Sequence, residues 1–252
     1  MRKVSNIERV GKVNKNRFGS VMKVMTYNSS SDIIVKFENE VLVHTNWQAF
    51  QNGKVENPYD KSVCGIGYIG EGKYQSFKEG KITPQYKSWK SMLVRCYGNS
   101  KIDNYEECFV CDEWHNFQNF GKWYDENYYK INEERMELDK DILLKGNKIY
   151  SSKTSVFVPR FINCLFTKSN KARGTLPIGV SYVNKTDKYR VRCNDGKKAT
   201  VYLGLYSSLD EAFNVYKNYK EKTIKQIAEE YRENIPSNLY SAMITYKVEI
   251  ND

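Results

Sequence analysis

Leu138-Asp139-Lys140-Asp141, Gly146-Asn147, Tyr150-Ser151-Ser152-Lys153-Thr154 and Asn163 form the stretch on which the reading of this chain turns. Taken as bare residues, Asp139, Lys140 and Asp141 make either a polar strand end and turn or a site. The chemistry open to a site is limited. Asp139 offers a carboxylate, a hard oxygen donor that suits a divalent cation. Lys140 is protonated at neutral pH unless strongly desolvated, so it is a poor general base. It can still contact a phosphate as a point charge.

C-terminal to this stretch lies a module that reads as three strands and a helix. Leu176-Pro177-Ile178-Gly179-Val180 opens it, and Tyr189-Arg190-Val191-Arg192-Cys193 alternates strictly. Asn194-Asp195-Gly196 makes a turn, and Ala199-Thr200-Val201-Tyr202-Leu203-Gly204 is a further strand. Ser208-Leu209-Asp210-Glu211 is a capping box that starts a helix with Ala212, Val215, Tyr216 and Tyr219 on one face. Strand alternation puts Arg190 and Arg192 on one face and Tyr189, Val191 and Cys193 on the other. The apolar set packs on the helix, which leaves the arginines outward, as a solvated face or as a binding one. Formal net charge over the chain is +10, and residues 168–200 hold nine Lys/Arg against two Asp, so +7 of it is local. That concentration favours a basic face on one module.

Upstream, Thr83-Pro84 starts a helix, with Tyr86, Trp89, Leu93 and Cys96 on its apolar face and Gly98 at its end. A second helix begins near Asp112 and carries Trp114, Phe117, Phe120 and Tyr124, which at this spacing are core residues. Residues 61–82 hold Gly65, Gly67, Gly70, Gly72 and Gly80 and read as a connecting loop with little structure of its own. Residues 1–60 read as β-hairpins, from runs such as Val21–Met25 and Ile33–Phe37 split by turn residues, and predict a small β-barrel. After about residue 226 the last helix continues until Ile235-Pro236 breaks it. Tyr246–Ile250 reads as a final strand.

These pieces carry two resemblances. Tyr86-Lys87-Ser88-Trp89, Met92, Arg95-Cys96-Tyr97, then Cys111-Asp112-Glu113-Trp114, Phe117 and Asn119-Phe120, then the opening stretch, resemble phage H-N-H homing endonucleases over residues 83–167. In that family a strand ends in Leu/Ile-Asp-His, a Gly/Asn turn follows, and then a second strand, Tyr-Ser-Pro-Glu-Asn and a helix. Here Lys140 holds the His position, and Ser152, Lys153 and Thr154 hold the Pro-Glu-Asn positions. Asp139 stays where the family has a metal-binding carboxylate, and Asn163 stays near the end. The resemblance implies a ββα-metal scaffold using Mg2+ or Mn2+ if active, with Asp139, Lys140 and Asn163 as a degenerate catalytic set. The second resemblance, over residues 175–225, is to the Apetala-two/ERF-type DNA-binding domain, on the Gly-Val start, the Tyr-Leu-Gly strand end and the Glu-Ala helix start. It implies that the sheet lies in the major groove, with Arg190, Arg192, Lys185, Lys188, Lys198 and Tyr202 toward DNA. The family's groove-facing Trp residues are absent.

The expectation is therefore an α+β chain. Residues 1–60 are the β-barrel module, 61–82 a linker, 83–172 the degenerate H-N-H-like module, 173–232 the Apetala-two/ERF-like module and 233–252 a tail. The leading function is double-stranded DNA binding with little or no cleavage. The rivals are an active metal-dependent endonuclease and an inhibitor that binds a host protein. No apolar run approaches a membrane span, and the N-terminus lacks the apolar core of a signal peptide, so a cytoplasmic setting is expected. Six scattered cysteines suit reduced thiols. Cys108 and Cys111 form a lone Cys-x-x-Cys with His115 nearby, and buried thiols are favoured there over zinc.

Overall fold

A computed structural model describes residues 8–98, 107–167, 175–196 and 199–250. The chain is mixed α and β with several sheets, and it divides into two compact units, Met1–Glu126 and Asn127–Asp252.

The first unit begins with a four-stranded sheet: β1 (Val13–Lys15), β2 (Val21–Ser29), β3 (Asp32–Phe37) and β4 (Leu42–Thr45), antiparallel in that order. The predicted barrel does not form, because β1 and β4 remain edges and no sheet among the described residues closes. The reason is local. Asn46 caps a short helix, α1 (Trp47–Gln51), by accepting from the Ala49 N–H at 2.8 Å. That helix and the loop after it bring Phe50 and Val55 onto Met22, Val24, Ile33, Val35 and Phe37. The inner face is thus covered without further strands, so curvature to closure is unnecessary.

The stretch 61–82 is packed rather than a free connector. Tyr68 donates its N–H to the His115 carbonyl and accepts from Phe117 N–H, both at 2.9 Å. Gln118 bonds Ile69 and Tyr74. Gly67 passes so close to Trp89 and Leu93 that a Cβ there would lie 2.4 Å from the Leu93 side chain. A hairpin, β5 (Phe77–Lys78) and β6 (Lys81–Ile82), leads into α2 (Pro84–Tyr97), capped by Thr83. Next come β7 (Phe109–Val110), a 3-10 turn at Asp112–His115 and α3 (Phe117–Asn127). The second helix thus starts five residues later than the sequence suggests. Trp89, Trp114, Phe117 and Phe120 are fully buried, and the Trp89 indole N–H donates to the Trp114 carbonyl at 2.7 Å.

In the second unit β8 (Met136–Asp139) pairs antiparallel with β10 (Val156–Pro159), and α4 (Arg160–Phe166) follows directly; β9 (Ile149–Tyr150) lies in the loop between. A three-stranded antiparallel sheet then forms from β11 (Val180–Val183), β12 (Lys188–Asn194) and β13 (Thr200–Tyr206). The helix α5 (Leu209–Glu230) is capped by Ser208 and serves two cores. Ala212, Phe213 and Tyr216 pack on Val180, Val191 and Cys193 of the sheet. Ile224, Ile227 and Ala228 pack on Val158, Ile162 and Leu165. The helix ends at Glu230 with Tyr231 as its cap, earlier than the break expected at Ile235-Pro236, and Pro236 instead stands at the start of α6 (Ser237–Thr245), whose Leu239 and Met243 are fully buried. The final segment is not a strand. Val248 is buried, but its N–H is taken by the Glu221 carboxylate at 2.9 Å and its carbonyl by Lys217, so side chains replace a ladder. No helix among the described residues is long and apolar enough to cross a membrane.

Candidate functional site

Two groups of residues are candidates for a functional site, and both lie in the second unit. The first is the end of β8. Asp139 turns its carboxylate back on its own chain, where Oδ1 accepts the N–H groups of Asp141 and Ile142, each at 2.8 Å. Burial, and next the Asp141 carboxylate, push the Asp139 pKa up to about 6, against the pull of those two N–H donors. Lys140 is buried. Its Nζ stands 3.5 Å from Asp141 Oδ2 and 5.8 Å from the centre of the Tyr150 ring. Its carbonyl accepts from Asn147 Nδ2 at 2.7 Å, and the same amide bonds the Ile149 carbonyl. Thr154 donates its hydroxyl to that carbonyl at 2.8 Å and meets the Ser151 hydroxyl. Asn147, Ser151 and Thr154 are thus engaged in closing the loop.

Asn163, in α4, donates to Glu137 Oε2 at 2.8 Å. Strand alternation places Glu137 on the same face of β8 as Asp139. Arg135 and Arg160 flank the Glu137 carboxylate at 3.6 and 4.0 Å. So the structure brings Asp139 and Lys140 together with Asp141 and Tyr150, and it ties Asn163 to Glu137. Glu137 was not singled out from the sequence; its i, i+2 spacing from Asp139 was the available signal.

Asp139, Lys140 and Asn163 do not come together as one donor set for Mg2+ or Mn2+. One Asp139 oxygen is occupied by two amide donors, and the next residue is a buried ammonium. Among the described residues no group of three or more His, Cys, Asp or Glu side chains is placed to hold a metal. The same holds for the Cys-x-x-Cys: Cys108 is buried, Cys111 is half-buried with its thiol pKa pushed up by burial, and His115 Nε2 lies 3.1 Å from the Val110 carbonyl.

The second group is the outer face of the β11–β13 sheet. Val191 and Cys193 point to α5 and are buried, so Lys188, Arg190 and Arg192 share the opposite face. Arg190 lies between Ser181 on β11 and Leu205 on β13, and its Nε donates to Ser181 Oγ at 3.2 Å. Arg192 lies opposite Tyr202, which is 56% exposed. A bulge sets this pairing: Val191 pairs with Gly204 and Arg192 with Tyr202, which leaves Leu203 as the extra residue, packed inward. Regular alternation would put Leu205 with Leu203 inside. The bulge instead places both Tyr202 and Leu205 on the arginine face, and Gly204, at φ 127°, takes the backbone angle this requires. Lys185 is exposed in the β11–β12 turn, and Lys198 lies outside the described residues.

No protein-family model matches this chain, and neither a curated protein nor a solved structure shows significant similarity to it.

Proposed function

We propose that this chain is a phage-type double-stranded DNA-binding protein built on a homing-endonuclease scaffold, with little or no cleavage activity. The observation that carries the reading is the row Lys188, Arg190 and Arg192 on the uncovered face of β12, with Tyr202 and Leu205 opposite the arginines. Guanidinium groups pair in fork geometry with guanine or phosphate, and a β-ribbon fits the major groove. At the other candidate site, Lys140 is held inside the loop against Tyr150 and Asp141 rather than offered to a water molecule. A general base must reach the proton it takes, and the buried Lys140 side chain is not placed to do so.

The test is a single gel with supercoiled plasmid, with and without Mg2+ or Mn2+. Retarded but uncut plasmid is the expected result. Rapid metal-dependent nicking that is lost in Asp139→Ala would replace this reading with an active nuclease. Failure to retard plasmid, with a host protein co-purifying, would replace it with a protein-binding inhibitor.

A further inference from the structure

Phe77 and Ile82 lie directly opposite each other in the β5–β6 hairpin and are 56% and 52% exposed. On the other face of the ribbon Lys78 lies directly opposite Lys81. Both arrangements are unfavourable for the chain alone: apolar surface stays in water, and like charges face each other across the ladder. The ribbon is nevertheless held stiffly. Glu79 and Gly80, at φ 53° and 75°, are both left-handed, the pattern of a tight two-residue hairpin turn matched to strand twist. At the base, Thr83 donates its N–H to the Ser76 carbonyl at 3.0 Å and its hydroxyl to the Gln75 carbonyl at 2.7 Å. The same hydroxyl accepts from Tyr86 N–H as the cap of α2. The ribbon is therefore fixed to the start of a helix. Residues 71–90 carry five lysines, including exposed Lys73, Lys87 and Lys90, against Glu71 and Glu79.

We propose that the β5–β6 ribbon is a second duplex-DNA contact, an apolar wedge with lysine flanks that enters the minor groove. This rests on the duplex-binding reading and adds a site in the first unit. Apolar side chains that unstack a base step need stiff support and cations beside them. Lysine stems are long enough to pass round the ribbon to the phosphates on either side. A second copy of the chain would cover Phe77 and Ile82 but would double the like charge. A polyanion relieves the Lys78–Lys81 opposition while the groove takes the apolar pair. Glu79 at the tip is the one opposing charge in the hairpin.

The test uses the full chain and a short duplex, with anisotropy measured against salt and end-to-end energy transfer reporting the bend. Lys78→Gln with Lys81→Gln lowers the slope of log K against log salt by about 2, since each phosphate contact contributes roughly 0.9. Phe77→Ser with Ile82→Ser keeps that slope but straightens the bound duplex. Glu79→Gln tightens binding several-fold. If all three variants keep the parent's affinity, slope and bend while the Arg190→Ala, Arg192→Ala double variant loses binding, the ribbon proposal alone is overturned. If the parent binds no duplex, both readings fall. If Phe77→Ser with Ile82→Ser converts a dimer to a monomer and leaves the bend intact, the pair is a self-association surface and the proposal is wrong.

Discussion

Arg192 lies directly opposite Tyr202 in the β12–β13 ladder, and two residues earlier Arg190 lies opposite Leu205. Each guanidinium of the outer face thus has a partly exposed apolar side chain as its cross-strand neighbour. Such a neighbour restricts the arginine's rotamers, so less entropy is lost when the fork meets an acceptor.

The first prediction follows from that face. Replacing Arg190 and Arg192 together with Ala weakens duplex binding by about 2–6 kcal/mol, if each makes a bidentate contact worth roughly 1–3 kcal/mol. Anisotropy at fixed moderate salt measures it. Parent-like affinity in the double variant would move the DNA contact away from this sheet.

The second concerns the bulge. Gly204 sits at φ 127°, and a Cβ there would lie 2.8 Å from the Tyr206 hydroxyl, which is held by the Leu203 carbonyl. Gly204→Ala should therefore cost about 1–3 kcal/mol in denaturant unfolding, the usual scale of such backbone strain. It should also weaken binding by disturbing the placement of Tyr202. An unchanged unfolding midpoint would mean that the bulge is not needed for the pairing.

Local signals carried the sequence reading as far as they reach. Thr83-Pro84 starts α2 where capping chemistry places it, and the Tyr189–Cys193 alternation gives the faces of β12 because burial follows the pleat. What was illegible depended on distant partners. The glycines of 61–82 look like loop residues, yet Gly67 is required because Trp89 and Leu93 stand against it. The inner face of the first sheet is filled by Phe50 and Val55, which removes any need for a barrel. Tyr246–Ile250 has strand composition but is anchored by Glu221 and Lys217. At the candidate core, the residue types were readable but not their engagement: Lys140 turns to Asp141 and Asn163 binds Glu137 only through the folded chain.

A third prediction concerns pH. Asp139 titrates near 6 in the folded chain, above its usual value. The native state therefore binds this proton more tightly than the unfolded state. The resulting stabilisation is complete below pH about 4 and is lost as pH rises through about 6. Asp139→Asn keeps an acceptor for the Asp141 and Ile142 N–H groups and cannot ionise. At pH 7 it should be more stable than the parent by roughly 3 kcal/mol, since the pKa is raised by about two and one pKa unit is about 1.4 kcal/mol. The difference should vanish near pH 4. Urea melts of both chains across this range give the comparison, and a pH-independent difference would show that ionisation of Asp139 is not its source.

The last prediction separates a structural Lys140 from a phosphate-binding one. The side chain is buried, its ammonium lies 5.8 Å from the Tyr150 ring centre, and Asp141 is 3.5 Å away. Lys140→Ala removes the packed stem, the cation–ring attraction and the partner of Asp141. Cation–ring contacts alone contribute about 0.5–2 kcal/mol, so a loss of roughly 1–3 kcal/mol is expected once stem packing is included. Lys140→Met keeps most of the stem and should recover part of that loss, because the volume over Tyr150 is conserved. Neither variant should change duplex affinity by more than about twofold or alter its salt slope, since a residue that touches no phosphate releases no counterion. Denaturant melts and salt titrations on the same two proteins decide it. A slope that falls by about one in both variants, with stability unchanged, would put Lys140 on the DNA backbone and revive the loop as a binding site.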